Sequence, residues 1–351
     1  MNTRKFSASL HGLRGVAAFG VFFAHCLGGY TLHVCSPCDN SWTTAGIALG
    51  TFGVEIFFLL SGVVIYQASL RSAPAVFFNK RFWRVYPVFI LFTLLFFVLN
   101  SITAIEPDKN ELLYLLYNVT FLNLIVGTPA LTPNAWTITF EVYFYILTFA
   151  IVYPVKVAKN RWGAGIAVVA SACLLYRYPI SFYYLAGILV GIWNVHVDKK
   201  RLVLNRLWIR VIECGSLITL VYLASTEHYY TWNAISDQKE VVFLLISTAL
   251  YVGCLQTGVA FSVRLLETRA LLYLGTVSYS LYLAHPYSYV VARKVVMLLQ
   301  EMALFSDRLI AVLFLALTIV LTVGIVVLVH RLVEVPFYRR NTGSVMVGAH
   351  K

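Results

Sequence analysis

Four ionisable side chains sit inside stretches that are otherwise apolar: His25, Glu55, Glu141 and His285. A charge near the middle of a bilayer costs roughly 3 kcal/mol or more, so such residues are kept for a partner or for chemistry. An imidazole exchanges its proton near neutral pH and a neighbouring carboxylate tunes that exchange, which equips His25 to act as a general base. A neutral histidine bonded to a carbonyl inside a helical bundle fits the same spacing equally well. Glu55 and Glu141 can instead neutralise arginines, and for Glu141 structural pairing has at least as strong a claim. His285 precedes Pro286, so it can simply mark a kink where a freed carbonyl finds a donor.

Three arginines complete the set. Arg81 and Arg84 lie in Lys80-Arg81-Phe82-Trp83-Arg84-Val85-Tyr86-Pro87 and share one face of a helix. Two guanidiniums on one face suit a ligand that carries phosphates. The plainer reading is a cationic anchor at the inner membrane edge, with Trp83 and Tyr86 as its aromatic belt. Arg14 precedes His25 by eleven residues, about 16 Å along a helix axis. That is the length of an extended pantetheine arm. Arginines at the inner end can hold the nucleotide phosphates of coenzyme A while its thioester reaches His25, although this geometry does not single out that ligand.

The elements that must position these groups follow from composition. The chain has 351 residues, 60% hydrophobic and only 12% charged, too little charge to coat a soluble domain of this size. Much of the apolar surface must face lipid. The net charge of +12 sits in short clusters between apolar runs and forms no basic stripe, which argues against nucleic-acid binding. Residues 1–12 are polar, and the first apolar run is long enough to span and stay, so no cleavable leader is expected. Ten spans are predicted, at roughly 13–32, 43–66, 86–105, 136–155, 163–177, 179–196, 210–224, 241–259, 270–292 and 309–330. Residues 111–127 are apolar but carry Asn118 and Asn123, and read as one helix lying at the interface. With a cytoplasmic N-terminus, only six of the 27 Lys and Arg residues (Lys109, Arg177, Lys239, Arg293, Lys294 and Arg308) fall in outer connections. That bias puts both termini inside. The expected fold is an all-α polytopic bundle forming a single membrane domain over 1–351, with a core at about 10–340.

Other features carry less. Cys35 and Cys38, in Cys-Ser-Pro-Cys, suggest a local disulfide or two free thiols, because His33 is the only further metal ligand nearby. No metal site is expected. Tyr229, Tyr230 and Trp232 in the outer 225–240 connection can stack on a sugar or serve as interfacial aromatics.

Six motifs in order resemble acyltransferase family three, the polytopic membrane O-acyltransferases that modify polysaccharides, lipid-linked sugars and some secondary metabolites. Leu-His-Gly-Leu-Arg-Gly-Val-Ala-Ala at 10–18 with His25 is similar to its opening arginine-to-histidine motif. Gly-Val-Glu-Ile-Phe-Phe-Leu-Leu-Ser-Gly at 53–62 resembles its second-span signature, and Arg81 to Pro87 its paired-arginine motif. Trp136 to Glu141, Ser278 to Pro286 and Glu334-Val335-Pro336 match its later elements. The resemblance implies a catalytic His25 and donor handling by Arg14, Arg81 and Arg84. Glu55, Glu141, Tyr282 and His285 then belong to the active site or line the path to it. It further implies a short acyl-CoA such as acetyl-CoA as donor, with no permanently bound cofactor. The acceptor would be a hydroxyl of a glycan or lipid-linked saccharide beyond the bacterial inner membrane. Many members append a hydrolase-like domain; only about 20 of the 351 residues follow the last span, so a stand-alone form is expected. The rival class is a transporter or flippase with charges along its path and a duplicated half, of which the sequence shows no sign. Nothing in the sequence sets the oligomeric state.

Overall fold

A computed structural model describes residues 7–33, 41–104, 106–132, 134–155, 161–196, 206–226, 239–302 and 306–343. Cys35, Cys38, Tyr229, Tyr230 and Trp232 lie outside them. The described residues contain helices and no strand. In chain order these are α1 (Ala8–His33), α2 (Ser41–Thr51), α3 (Gly53–Ser69), α4 (Pro74–Thr103), α5 (Leu112–Val119), α6 (Asn123–Val126), α7 (Ala135–Tyr153) and α8 (Arg161–Arg177). There follow α9 (Phe182–His196), α10 (Arg206–Thr226), α11 (Lys239–Thr257), α12 (Val263–Leu266), α13 (Arg269–Glu301), α14 (Asp307–Val329) and α15 (Val335–Thr342). Six segments are long and apolar enough to cross a membrane: Ala8–Leu32, Ser41–Ser69, Pro74–Thr103, Ala135–Tyr153, Arg206–Thr226 and Asp307–Thr342. Trp162–Arg177 and Val241–Thr257 are shorter apolar helices.

Every expected span holds a helix, but three readings need correction. The second span is interrupted at Phe52, so Glu55, at the middle of Ser41–Ser69, lies in the first turn of α3. The third helix opens at Pro74, a residue suited to a first helical turn, and so takes the paired arginines into its body. Residues 111–127 form two short helices, because Phe121 adopts a left-handed conformation (φ 59°) between them. The two asparagines explain the break. Asn118 donates to the carbonyls of Tyr114 and Pro129 and accepts from Leu131 N–H at 3.0 Å, and Asn123 accepts the Thr139 hydroxyl at 3.1 Å.

The chain forms two compact units, Met1–Ser72 with Leu147–Ser278, and Ala73–Ile146 with Tyr279–Lys351. In the first, glycines let helix backbones touch, as small residues do in membrane bundles. A methyl group added at Gly12 would stand 1.9 Å from the Leu266 carbonyl oxygen, and one at Gly53 would stand 2.5 Å from that of Ala17. His11 Nε2 lies 3.1 Å from Thr276 Oγ1, whose proton goes to the Leu272 carbonyl, so the ring donates. In the second unit α13 is tied to α4 by tyrosines: Tyr279 donates to the Val85 carbonyl at 2.8 Å and Tyr287 to that of Phe92 at 2.5 Å. Stacking of Trp83 on Phe337 joins α4 to α15.

Candidate active site

Within the first unit, α1 carries two of the candidate residues, Arg14 and His25. Eleven residues make three helical turns with about 20° left over, so Arg14 and His25 share one side of the helix. Val16, Phe19 and Phe23 form an exposed apolar stripe on the opposite side. His25 is itself exposed, away from that stripe. Its Nδ1 lies 2.8 Å from the Val21 carbonyl oxygen, which only accepts, so Nδ1 carries the proton. In the neutral ring Nε2 is then the nitrogen that bears the lone pair. The bond to a carbonyl foreseen for a structural histidine is present, and it orients the ring as a base requires. Arg14 stands over the Phe57 ring at 5.8 Å, and its buried Nε has no hydrogen-bond partner among the described residues. A buried donor of this kind calls for an acceptor oxygen. Glu55 is buried near the Ala17–Gly53 contact of α1 with α3.

Within the second unit a different group assembles around α13. Pro286 has no N–H, so the carbonyl of Tyr282, four residues earlier, loses its helical donor. The Asn134 side-chain amide donates to that carbonyl in its place. Thr137, in the first turn of α7, is hydrogen-bonded to the Tyr282 hydroxyl at 3.0 Å. The start of α7 therefore grips Tyr282 at both backbone and ring. His285 is buried, with Nδ1 3.1 Å from the Leu281 carbonyl and its ring edge-on to Tyr282. The Leu281 carbonyl only accepts, so Nδ1 carries the proton and Nε2 is the basic nitrogen of the neutral ring.

The arginine pair belongs to this unit. Arg81 lies 5.5 Å from the ring centres of both Phe77 and Tyr145, a double cation–π seat. The Tyr145 hydroxyl donates to Glu141. Glu141 thus reaches the arginine through an aromatic intermediary, a variant of the structural pairing weighed for it. Arg81 and Arg84 are half-buried, with exposed Phe82 between them.

Sequence reasoning missed Asn134, Thr137 and Tyr145. Pro286 signalled a freed carbonyl but not its donor, which is 148 residues away. It also passed over Glu213 within the seventh span. This buried carboxylate accepts the Phe261 and Ser262 N–H groups and the Ser262 hydroxyl, so it ties α10 to the start of α12.

Comparison with known proteins bears on this arrangement. A family model described as an acyltransferase domain matches residues 7–331. The peptidoglycan O-acetyltransferase OatA of Listeria monocytogenes is 22% identical over 330 residues, covering 81% of this chain and 49% of that protein. The acyltransferase MdmB of Streptomyces mycarofaciens is 26% identical over 199 residues, 49% of this chain and 48% of its own. The exopolysaccharide production protein ExoZ of Rhizobium meliloti is 24% identical over 273 residues, 70% of this chain and 78% of that one. The chain spans about half the length of the first two relatives. No solved structure matches it.

Proposed function

The chain belongs to the acyltransferase domain family, and we propose that it moves a short acyl group from acyl-CoA to a hydroxyl of a glycan or lipid-linked saccharide. Acetyl-CoA is the simplest donor, and the names of two relatives, a peptidoglycan O-acetyltransferase and an exopolysaccharide production protein, favour a sugar acceptor. In this reading the protein lies in the bacterial inner membrane with both termini inside, as the arginine and lysine placement favours. The donor enters from the cytoplasm and the acceptor is met on the outer side.

One observation carries the reading: His25 and Arg14 share a face of α1, three turns apart, with the ring's tautomer set by Val21. The Nε2 lone pair of His25 takes the proton of the acceptor hydroxyl as its oxygen attacks the thioester carbonyl. The tetrahedral adduct collapses, the C–S bond breaks, and the departing thiolate recovers the proton from His25. No proton is gained or lost overall. Direct transfer and a transient acyl-histidine both use this nitrogen. Glu55 supports the imidazolium electrostatically, and Arg14 with its unpartnered Nε takes an acceptor oxygen of the donor. Arg81 and Arg84 take phosphates, and Tyr282, His285 and Glu141 serve the acceptor side.

The test is incorporation of label from radiolabelled acetyl-CoA into glycan in inverted membrane vesicles without an imposed gradient. His25→Ala at matched protein level is expected to lose about a hundredfold or more, the range for removing a general base. Full activity in that variant, or label transfer that requires a gradient, overturns the proposal.

A further inference from the structure

Beyond α14 the chain carries a buried acid that the proposed reaction leaves unused. Pro336 cannot donate, and in a regular helix its ring would press on the Leu332 carbonyl. His330–Glu334 instead takes one turn of π-helix, in which Val335 N–H donates to the His330 carbonyl five residues back. Such turns insert a residue into a helix and recur at functional positions. Here the turn directs His330 and Glu334 inward while Leu332 stays exposed.

Glu334 has 0% of its surface exposed. Its Oε2 accepts from the Ser280 hydroxyl at 2.6 Å and from His330 Nδ1 at 2.9 Å, whereas Oε1 is buried with no hydrogen-bond partner among the described residues. Desolvating a carboxylate is expensive, and apolar side chains of similar volume stabilise such positions as well or better. Packing alone does not explain an acid here; what it holds does.

It holds Ser280, two residues before Tyr282. At about 100° per residue these two positions point to nearly opposite sides of α13. Asn134 and Thr137 grip the Tyr282 side, and Glu334 grips the Ser280 side. Beyond them Pro286 removes a helical hydrogen bond to the Tyr282 carbonyl that would otherwise stiffen the segment. Two opposed grips define the rotation of a helix about its axis where one does not. We propose that Glu334 is a positioning residue: through Ser280 it sets the rotation of α13, and so the orientation of Tyr282 and His285 for acyl transfer. The inference rests on the reading above, that these two side chains serve the acyl-transfer site. His330 keeps the carboxylate in place, as an ion pair whenever its ring carries a second proton.

Ser280→Ala is the decisive variant, since it removes one hydroxyl and leaves the acid buried. With radiolabelled acetyl-CoA and inverted vesicles, the rate at saturating donor is expected to fall five- to twentyfold. KM for acetyl-CoA should stay within twofold of wild type. Glu334→Gln, which can still accept from Ser280, should keep at least a third of the rate. Glu334→Ala should lose tenfold or more, and adding Ser280→Ala to it should lower the rate no further, as expected for residues acting through one contact. A Ser280→Ala protein with an unchanged rate, whether or not its thermal midpoint drops, overturns the positioning role. So does a Gln variant as poor as the Ala variant. His25→Ala assayed alongside separates the two ideas, because retained activity there removes the underlying reading and not this one alone.

Discussion

The bond from Asn134 to the Tyr282 carbonyl makes a prediction that depends on Pro286. That carbonyl is buried and lacks its helical donor only because residue 286 is proline. Asn134→Ala should therefore leave it unsatisfied, at a cost of about 1–3 kcal/mol for a buried orphaned group. Measured polar couplings inside membrane proteins average about 0.6 and reach about 1.7 kcal/mol, so the lower half of that range is expected. In a Pro286→Ala background the new N–H reaches the carbonyl itself, and the amide becomes redundant. Asn134→Ala should then cost under about 0.5 kcal/mol. The four proteins of this cycle would be compared by reversible unfolding in mixed micelles, with a coupling of about 1 kcal/mol or more expected. Additive effects, with the same cost in both backgrounds, would refute the idea that Asn134 replaces the donor proline lacks. Acetyl transfer by the Asn134→Ala protein should fall as well, because Thr137 alone then holds Tyr282 from the α7 side.

Other perturbations follow from the same contacts. Gly12→Ala places a methyl 1.9 Å from a backbone oxygen and should abolish accumulation of folded protein in membranes. Gly165→Ala and Gly215→Ala, with nothing within 4 Å of the new methyl, should leave accumulation intact and raise the unfolding free energy by up to about 1 kcal/mol. Arg81→Lys keeps the charge but loses the flat contact with Phe77 and Tyr145, so KM for acetyl-CoA should rise severalfold; an unchanged KM counts against its role in donor binding.

Much of the candidate site was legible because it is local. The eleven-residue interval from Arg14 to His25 fixes a shared face wherever the segment is helical, and the structure makes Ala8–His33 one helix. Pro286 announced a freed carbonyl for the same reason. The breaks were harder to see. Phe52 and Phe121 are apolar residues within apolar runs, and hydropathy does not register a turn that interrupts such a run. Glu213 was overlooked because a carboxylate satisfied by backbone N–H groups looks, in one dimension, like any acid at the end of a span.

By itself the sequence determined that this chain is helical and built to lie in a membrane, and which of its ionisable residues lipid would reject. It also set the relative faces of residues on one helix. Those properties come from composition and from a backbone period that needs no neighbour. Packing in three dimensions was needed to show that Asn134 answers Pro286, that Arg81 rests on Phe77 and Tyr145, and that a π turn brings Glu334 to Ser280. Partners for buried polar groups are chosen by which helix surfaces pack together, and helical periodicity carries no information about that choice.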